Sequence, residues 1–447
     1  MANISRLHRQ HHDHHLAGAI GKYIGIPALA LLLHMPVFAF AENPANHADV
    51  QKMRPNIQRK MLDSSKIDMN APSKIKDAPS KAELDRDIEE ENKELQSRNF
   101  SLRINYPTTK FETVPPAEAV QIREIVTLTR KLLKMRYPTS MARRGVHPKD
   151  HGCVKAKFTV NNDIPNQYKV GVFATPGKTY DTWVRFSNAT TRVTPDLTNK
   201  GQGESRGMAL KLMGVEGKPL LKTPGAQTQD FLLINQPMFA FSDVAQYLEL
   251  TRIQLEHQDD ISTFFNPLTD EKKKVLGIVG IIRGTRLGNP LESRYFSASP
   301  FLFGTNQVAK FAVSPRDTAQ TPLPSNPSSN YLRGALKASL DPAGGKPYVF
   351  DFQVQLRTDP SLPIEDAASP DWTEEKAPFQ NVATVTIGTQ DFDNPLTITE
   401  CEHLVFTPWH GLAEFQPLGG INRLRLGVYT ASSLTRARPN EPSGFPQ

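Results

Sequence analysis

Arg425, Tyr429 and Arg436 fall within about 40° of arc on one face if Leu418 to Arg436 is helical. A tyrosine bracketed by two arginines has a chemical use. A phenol ordinarily titrates near about 10, and a neighbouring guanidinium favours its phenolate. A phenolate is a hard anionic donor that suits ferric iron. The competing reading is a surface helix with solvated arginines and one packing tyrosine. Taken alone, the stretch favours the surface-helix reading.

A second set of reactive types lies upstream. MARRGVHPKDHGCVKAKFTV places His147 at the entrance to a strand, three residues after Arg144. A neutral histidine there suits general acid–base chemistry near neutral pH; a partly buried loop histidine is the plainer alternative. His151 and Cys153 follow, but a loop entering a strand does not enforce helical i,i+4 ligand geometry. No fourth ligand is evident, so no metal site is read there. In WVRFSNAT, Arg185 and Ser187 are two apart and point the same way from a strand. On an inner face the serine would hydrogen-bond a histidine ring, and the arginine would need an anion or water. Arg206-Gly207 opens a strand where backbone can approach closely. Asn235 ends the apolar strand DFLLIN, and a buried amide must be aimed at a partner.

Elements must carry these residues. Gly419-Gly420 interrupt the chain before the tyrosine stretch, Ile421, Leu424 and Val428 supply a packing face, and Pro439 stops it. Pro115 to Tyr137 repeats apolar residues at helical spacing behind a proline start. Helices are also expected over Ser242 to His257 and Asp270 to Arg286. Ala82 to Arg98 is charged nearly all round, which predicts a solvated helix or a segment without fixed structure. From Cys153 the period becomes two: CVKAKFTV, YKVGVFA, YDTWVRFS, GMALKLM and DFLLIN, then GALKASL, YVFDFQVQL and NVATVTIGT, read as strands. Short strands first, with helices inserted and appended, predict an α+β fold built on an antiparallel barrel. The 36 prolines and 27 glycines favour loops and broken strands over an all-helical chain. No internal repeat and no glycine-rich phosphate loop occur.

The net charge of +7 is spread without a Lys/Arg block, so no nucleic-acid partner is expected. Residues 1–41 read as a signal peptide. Arg6, Arg9 and Lys22 precede the apolar run Ile24 to Phe40, and Ala39-Phe40-Ala41 forms a small-x-small cleavage site. Pro27, His34 and Pro36 weaken a spanning segment, so export to a periplasm without stable membrane insertion is expected. The His8 to His15 run would leave with that leader. Only His147, His151, His257, His403 and His410 lie beyond residue 47. Residues 42–115 read as an extended arm and 116–447 as the main domain. Cys153 and Cys401 could close one disulfide or remain buried thiols, and the reading leans to thiols.

The ordered motifs carry a resemblance. They are R-x-x-H (Arg144, His147), VRFS (Val184 to Ser187), SRGMALKL, IN-x-P-x-F (Asn235, Pro237, Phe239) and R-x-x-x-Y with a further R (Arg425, Tyr429, Arg436). Together, over Met141 to Arg436, they resemble the haem-dependent catalase superfamily, most of all the small exported catalase-related peroxidases. The resemblance implies an eight-stranded antiparallel barrel enclosing haem b, with helices around it. It implies His147 as distal acid–base, Asn235 as distal amide and Ser187 as the residue steering the His147 ring. Tyr429 would be the proximal iron ligand, held as phenolate by Arg425. Arg144, Arg185 and Arg436 would pair the propionates, and Val146 and Phe239 would line the distal side, with Tyr247 at a channel position. The implied activity is reduction of hydrogen peroxide or organic peroxides, with weak catalase activity, an organic reductant as partner and a homo-oligomer possible. Fatty-acid hydroperoxide rearrangement, or a barrel that only binds haem or lipid, is the alternative. Ala240 stands where the family has a second distal phenylalanine, and TASSLTR follows Tyr429 in place of a proline and histidine-rich run. Both differences imply a more open pocket that favours organic peroxides.

Overall fold

The computed structural model describes residues 75, 78–97, 106–138, 142–221 and 227–440. The leader expected over 1–41 and most of the arm lie outside them. Seven helices are described: α1 Lys81–Ser97, α2 Glu118–Arg136, α3 Val244–Glu256, α4 Asp270–Gly284, α5 Tyr331–Leu340, α6 Pro395–His403 and α7 Gly420–Asn440. Nine strands are described: β1 Asp150–Val160, β2 Thr179–Asn188, β3 Arg206–Met213, β4 Thr228–Ile234, β5 Tyr295–Phe296, β6 Phe301–Phe303, β7 Gln307–Pro315, β8 Tyr348–Leu356 and β9 Phe379–Ile387.

All strand pairings are antiparallel, in the order β5-β4-β3-β2-β1-β9-β8-β7-β6. The two-residue β5 closes the ring, because Ile234 pairs with Phe296 on one side and Tyr295 with Val313 on the other. Eight strands therefore form a closed barrel, as the α+β reading expects, with β6 alongside β7. Closure leaves no open edge in that ring. Phe158, Phe173, Phe231, Phe311, Phe352 and Phe415 pack ring on ring within one buried cluster, so the interior is filled with side chains.

Strand alternation then decides which face carries chemistry. Val184, Phe186, Met208, Leu210 and Leu233 belong to the aromatic cluster. Their neighbours Arg185, Ser187, Ala209 and Leu232 must point to the opposite face. Ser187 and Arg185 are therefore on the outer surface of the barrel rather than the inner one. The interior is filled by packing, and the polar Arg185 and Ser187 face outward.

Two strand expectations are corrected. GALKASL lies in helix α5, where Leu332, Leu336 and Leu340 are buried at a period of four. YKVGVFA forms two 3-10 turns, because Gly171 takes a φ of +54° and a Cβ there would meet Phe415. α1 also differs from its expectation: Leu84 and Ile88 are buried, and Leu84 clusters with Leu132 and Met135 of α2. Arg130 and Lys134 of α2 add ion pairs to Glu91. Cys153 and Cys401 form a disulfide with a Cα separation of 6.1 Å, which corrects the thiol reading. The two cysteines are brought together because α6 packs on β1, a contact between residues 248 positions apart.

Helix α7 runs through Pro439 to Asn440 instead of stopping at it. Its entry is fixed by ions. Arg423, fully buried, donates to Glu118 through Nε at 2.6 Å and Nη2 at 2.7 Å, and to Glu112 through Nη1 at 2.6 Å. Glu365 takes Nη2 at 2.8 Å. The same carboxylates accept the first helix amides, Glu112 from Gly419 at 3.0 Å and Glu365 from Gly420 at 2.9 Å. Carboxylates suit the positive end of a helix and supply acceptors to amides that lack intrahelical partners. These partners hold Arg423 protonated far above its ordinary range, against the opposing effect of burial.

Candidate functional site

A cavity of about 830 Å³, open solvent at its mouth included, lies between the outer barrel face and α7. Its lining unites most residues picked from the sequence: Arg144, Val146, His147, Arg185, Ser187, Phe239, Arg425, Tyr429 and Arg436. Asn235 is not among them, though Ile234 and Gly207 beside it are.

His147 stands on a loop with a φ of +55°, in the left-handed region that few non-glycine residues adopt and histidine enters more often than most. Its Nδ1 lies 2.9 Å from Ser187 Oγ. The ring has room because residue 207 is glycine: a Cβ there would sit 2.5 Å from Nδ1 and 2.8 Å from Ser187 Oγ. Burial chiefly, then the charges of Arg185 and Arg425, push the imidazole down to about 3, against a hydrogen bond to the Asn188 backbone. His147 is neutral at physiological pH.

Asn235 Oδ1 accepts from the backbone N–H of Arg206 at 2.7 Å, which orients the amide. Its Nδ2 is buried and has no partner among the described residues. A buried donor left unpaired costs about 1–3 kcal/mol, so it marks a place for an oxygen acceptor.

Opposite these groups, Arg425 Nη2 donates to Tyr429 Oη at 3.3 Å, one helical turn away. Arg425 is itself set by Asn422 Oδ1 at 3.1 Å and by the ring of Phe239, 5.6 Å from the guanidinium. Phe239 thus touches the tyrosine side of the cavity. Tyr247 packs with Phe239 into the apolar cluster of α2, α3 and α7 and does not line the cavity.

Three arginines gather at one end. Arg144 is held by Glu402 Oε1 at 2.8 Å and by the carbonyls of Cys401 and Leu404, each at 2.9 Å. Arg436 donates to the Glu402 carbonyl at 2.6 Å. Arg185 donates to the His147 carbonyl at 2.9 Å, while its buried Nε has no partner among the described residues. Burial first, then the charge of Arg144, lowers Arg185 to about 9. Such a crowded cation attracts carboxylate groups.

These features fit haem: a phenol beside a guanidinium for iron, arginines for two carboxylates, and a largely apolar lining. His151 does not join the site. It is fully buried beside Asp196, 3.8 Å away, and Cys153 is committed to its disulfide. Among the described residues no cluster of three or more His, Cys, Asp or Glu could hold a metal ion.

Solved structures share this architecture. A fungal catalase superposes with a TM-score of 0.54 and 18% identity over 68% of this chain and 61% of its own. The fold is catalase-like. Catalase A from Saccharomyces cerevisiae gives a TM-score of 0.53 and 19% identity over 69% of this chain and 64% of its own. A bacterial catalase gives 0.51 and 16% over 67% and 58%. The chain spans about three-fifths of the length of these catalases. No family model and no curated protein sequence matches it.

Two contributors to the site escaped sequence reasoning. Ser432 accepts from Gly145 N at 2.9 Å, and Glu402 binds Arg144. Neither follows a spacing rule, since each partner lies more than 250 residues away in the chain.

Proposed function

We propose that this chain is an exported, haem-dependent oxidoreductase that reduces peroxides. The observation that carries this is the pairing of His147–Ser187 and Tyr429–Arg425 on one cavity. Tyr429 would hold the iron of haem b, and Arg144, Arg185 and Arg436 its carboxylates. Haem, when bound, would supply an iron able to store oxidising equivalents.

The protein's own share is acid–base and electrostatic. With Nδ1–H donating to Ser187 Oγ, His147 Nε2 keeps a lone pair that takes the proton of a peroxide O–H. The same nitrogen returns it to the departing oxygen, which leaves as water or alcohol. Asn235, beside the lining residues Ile234 and Gly207, would offer its unpaired Nδ2 to a peroxide oxygen. Arg425 balances the phenolate of Tyr429. The net change takes one peroxide, two electrons and two protons to one alcohol and one water. For hydrogen peroxide both products are water. An organic reductant supplies the electrons, or a second hydrogen peroxide does so and leaves as dioxygen. The Cys153–Cys401 disulfide supports an oxidising compartment, in keeping with the leader expected over 1–41.

The absorption spectrum of purified protein, before and after peroxide, tests this reading. A tyrosinate-ligated ferric haem that changes on peroxide addition is expected, and Tyr429→Phe should lose it. A Tyr429→Phe protein with unchanged spectrum and turnover overturns the reading.

A further inference from the structure

The last turn of α6 touches two of the three arginines gathered at one end of the cavity. Its carbonyls at Cys401 and Glu402, with that of Leu404 just beyond, accept from Arg144 and Arg436. Carbonyls at a helix C-terminus lack intrahelical partners and carry the negative end of the helix dipole, so cations suit them. The Glu402 carboxylate adds a direct bond to Arg144 and lies 3.6 Å from Arg436. The next residues, Val405 and Phe406, line the cavity itself.

Packing of this helix is confined to its last turn, where Cys401 and, just beyond the helix, Leu404 and Phe406 cluster with Trp183. Cys401 is its only buried residue, and Leu396 and Ile398 are exposed. The disulfide to Cys153 is its one covalent tie to β1, six positions after His147. With the tie cut, the turn is held only by that small cluster and by its bonds to the arginines, and segments with small buried clusters open at low cost.

We propose that the Cys401–Leu404 turn is a disulfide-held clamp that pre-sets Arg144 and Arg436 for the carboxylates of the cavity's ligand. Retention of haem then depends on the oxidation state of the Cys153–Cys401 pair. This rests on the haem reading above. Opening the clamp takes two electrons and two protons from an external dithiol, which leaves as its own disulfide and yields two thiols. Cys153, Cys401 and Glu402 are positioning residues, since the arginines make the contact.

The test uses the full chain in three forms: oxidised, reduced by dithiothreitol that is then removed under argon, and Cys153→Ser/Cys401→Ser. Each is titrated with haemin and with haemin dimethyl ester, whose carboxylates are blocked, and read by Soret absorbance and tryptophan quenching. The reduced and variant forms should bind haemin at least about tenfold more weakly than the oxidised form, the usual scale for losing a supporting contact. With the ester the three forms should bind alike. Equal haemin affinity in oxidised and reduced protein overturns the clamp. Equal losses for haemin and ester also overturn it, because they show general loosening or unfolding. An oxidised protein that binds neither overturns the haem reading, and the clamp with it.

Discussion

Gly145 donates its backbone N–H to Ser432 Oγ at 2.9 Å, tying the loop that carries His147 to the helix that carries Tyr429. The serine sits one turn beyond the tyrosine, and the glycine two residues before the histidine. The two walls of the cavity are thus joined by a buried hydrogen bond. Ser432→Ala removes the acceptor and leaves the Gly145 amide buried and unpaired. A loss of about 1–3 kcal/mol in chemical unfolding is expected, along with weaker haem retention.

Gly207 is the floor under His147. A Cβ there would be 2.5 Å from Nδ1 and would push the ring off Ser187. Gly207→Ala should lower peroxide turnover by about 100-fold, the scale of a 1 Å misplacement. Stopped-flow kinetics with hydrogen peroxide measures this, and haem content should stay near that of the unaltered protein because Tyr429 and the arginines are untouched.

Arg423 neutralises carboxylates at the entry to α7. Arg423→Met leaves Glu112 and Glu118 buried without their cation, which should cost about 3–5 kcal/mol. Glu365, partly exposed, should matter less: Glu365→Gln is expected to cost under about 1 kcal/mol. Urea midpoints of the two variants provide the comparison.

Acid sensitivity follows from the histidines. His147 is lowered to about 3, and burial holds His151 well below 6.5. The unfolded chain binds both protons near pH 6.5 and the folded chain does not, so stability is complete above that pH and falls as pH drops from 6.5 towards 3. Thermal midpoints recorded from pH 8 to pH 4 should show this decline. His147→Gln should make it shallower by removing one of the two protons.

Much of the scaffold was legible in periodicity. Helices α2, α3 and α4 and strands β2, β3 and β8 lie within a few residues of their expected positions, because apolar spacing reports the buried face of each element. The failures have local causes. α5 is short, and a seven-residue window of apolar and small residues fits either period. β5, with two residues, has no pattern of its own to read, although it closes the barrel. The resemblance motifs picked out the cavity-lining His147, Ser187, Arg185 and Tyr429, since each is a reactive type at a fixed distance from the next.

By itself, the sequence determined the inventory: a phenol one turn from a guanidinium, a histidine at a strand entrance, and strands enough for a barrel. Residues on one helix or one strand have their geometry set by the backbone repeat, so Arg425 and Tyr429 had to meet. Tertiary structure decided what the repeat cannot. It put Ser187 and Arg185 on the outer barrel face, because aromatic side chains fill the interior. It brought Cys401 to Cys153, Glu402 to Arg144 and Ser432 to Gly145 across more than 240 residues. Contacts at that range arise from packing whole elements together, and no spacing rule encodes them.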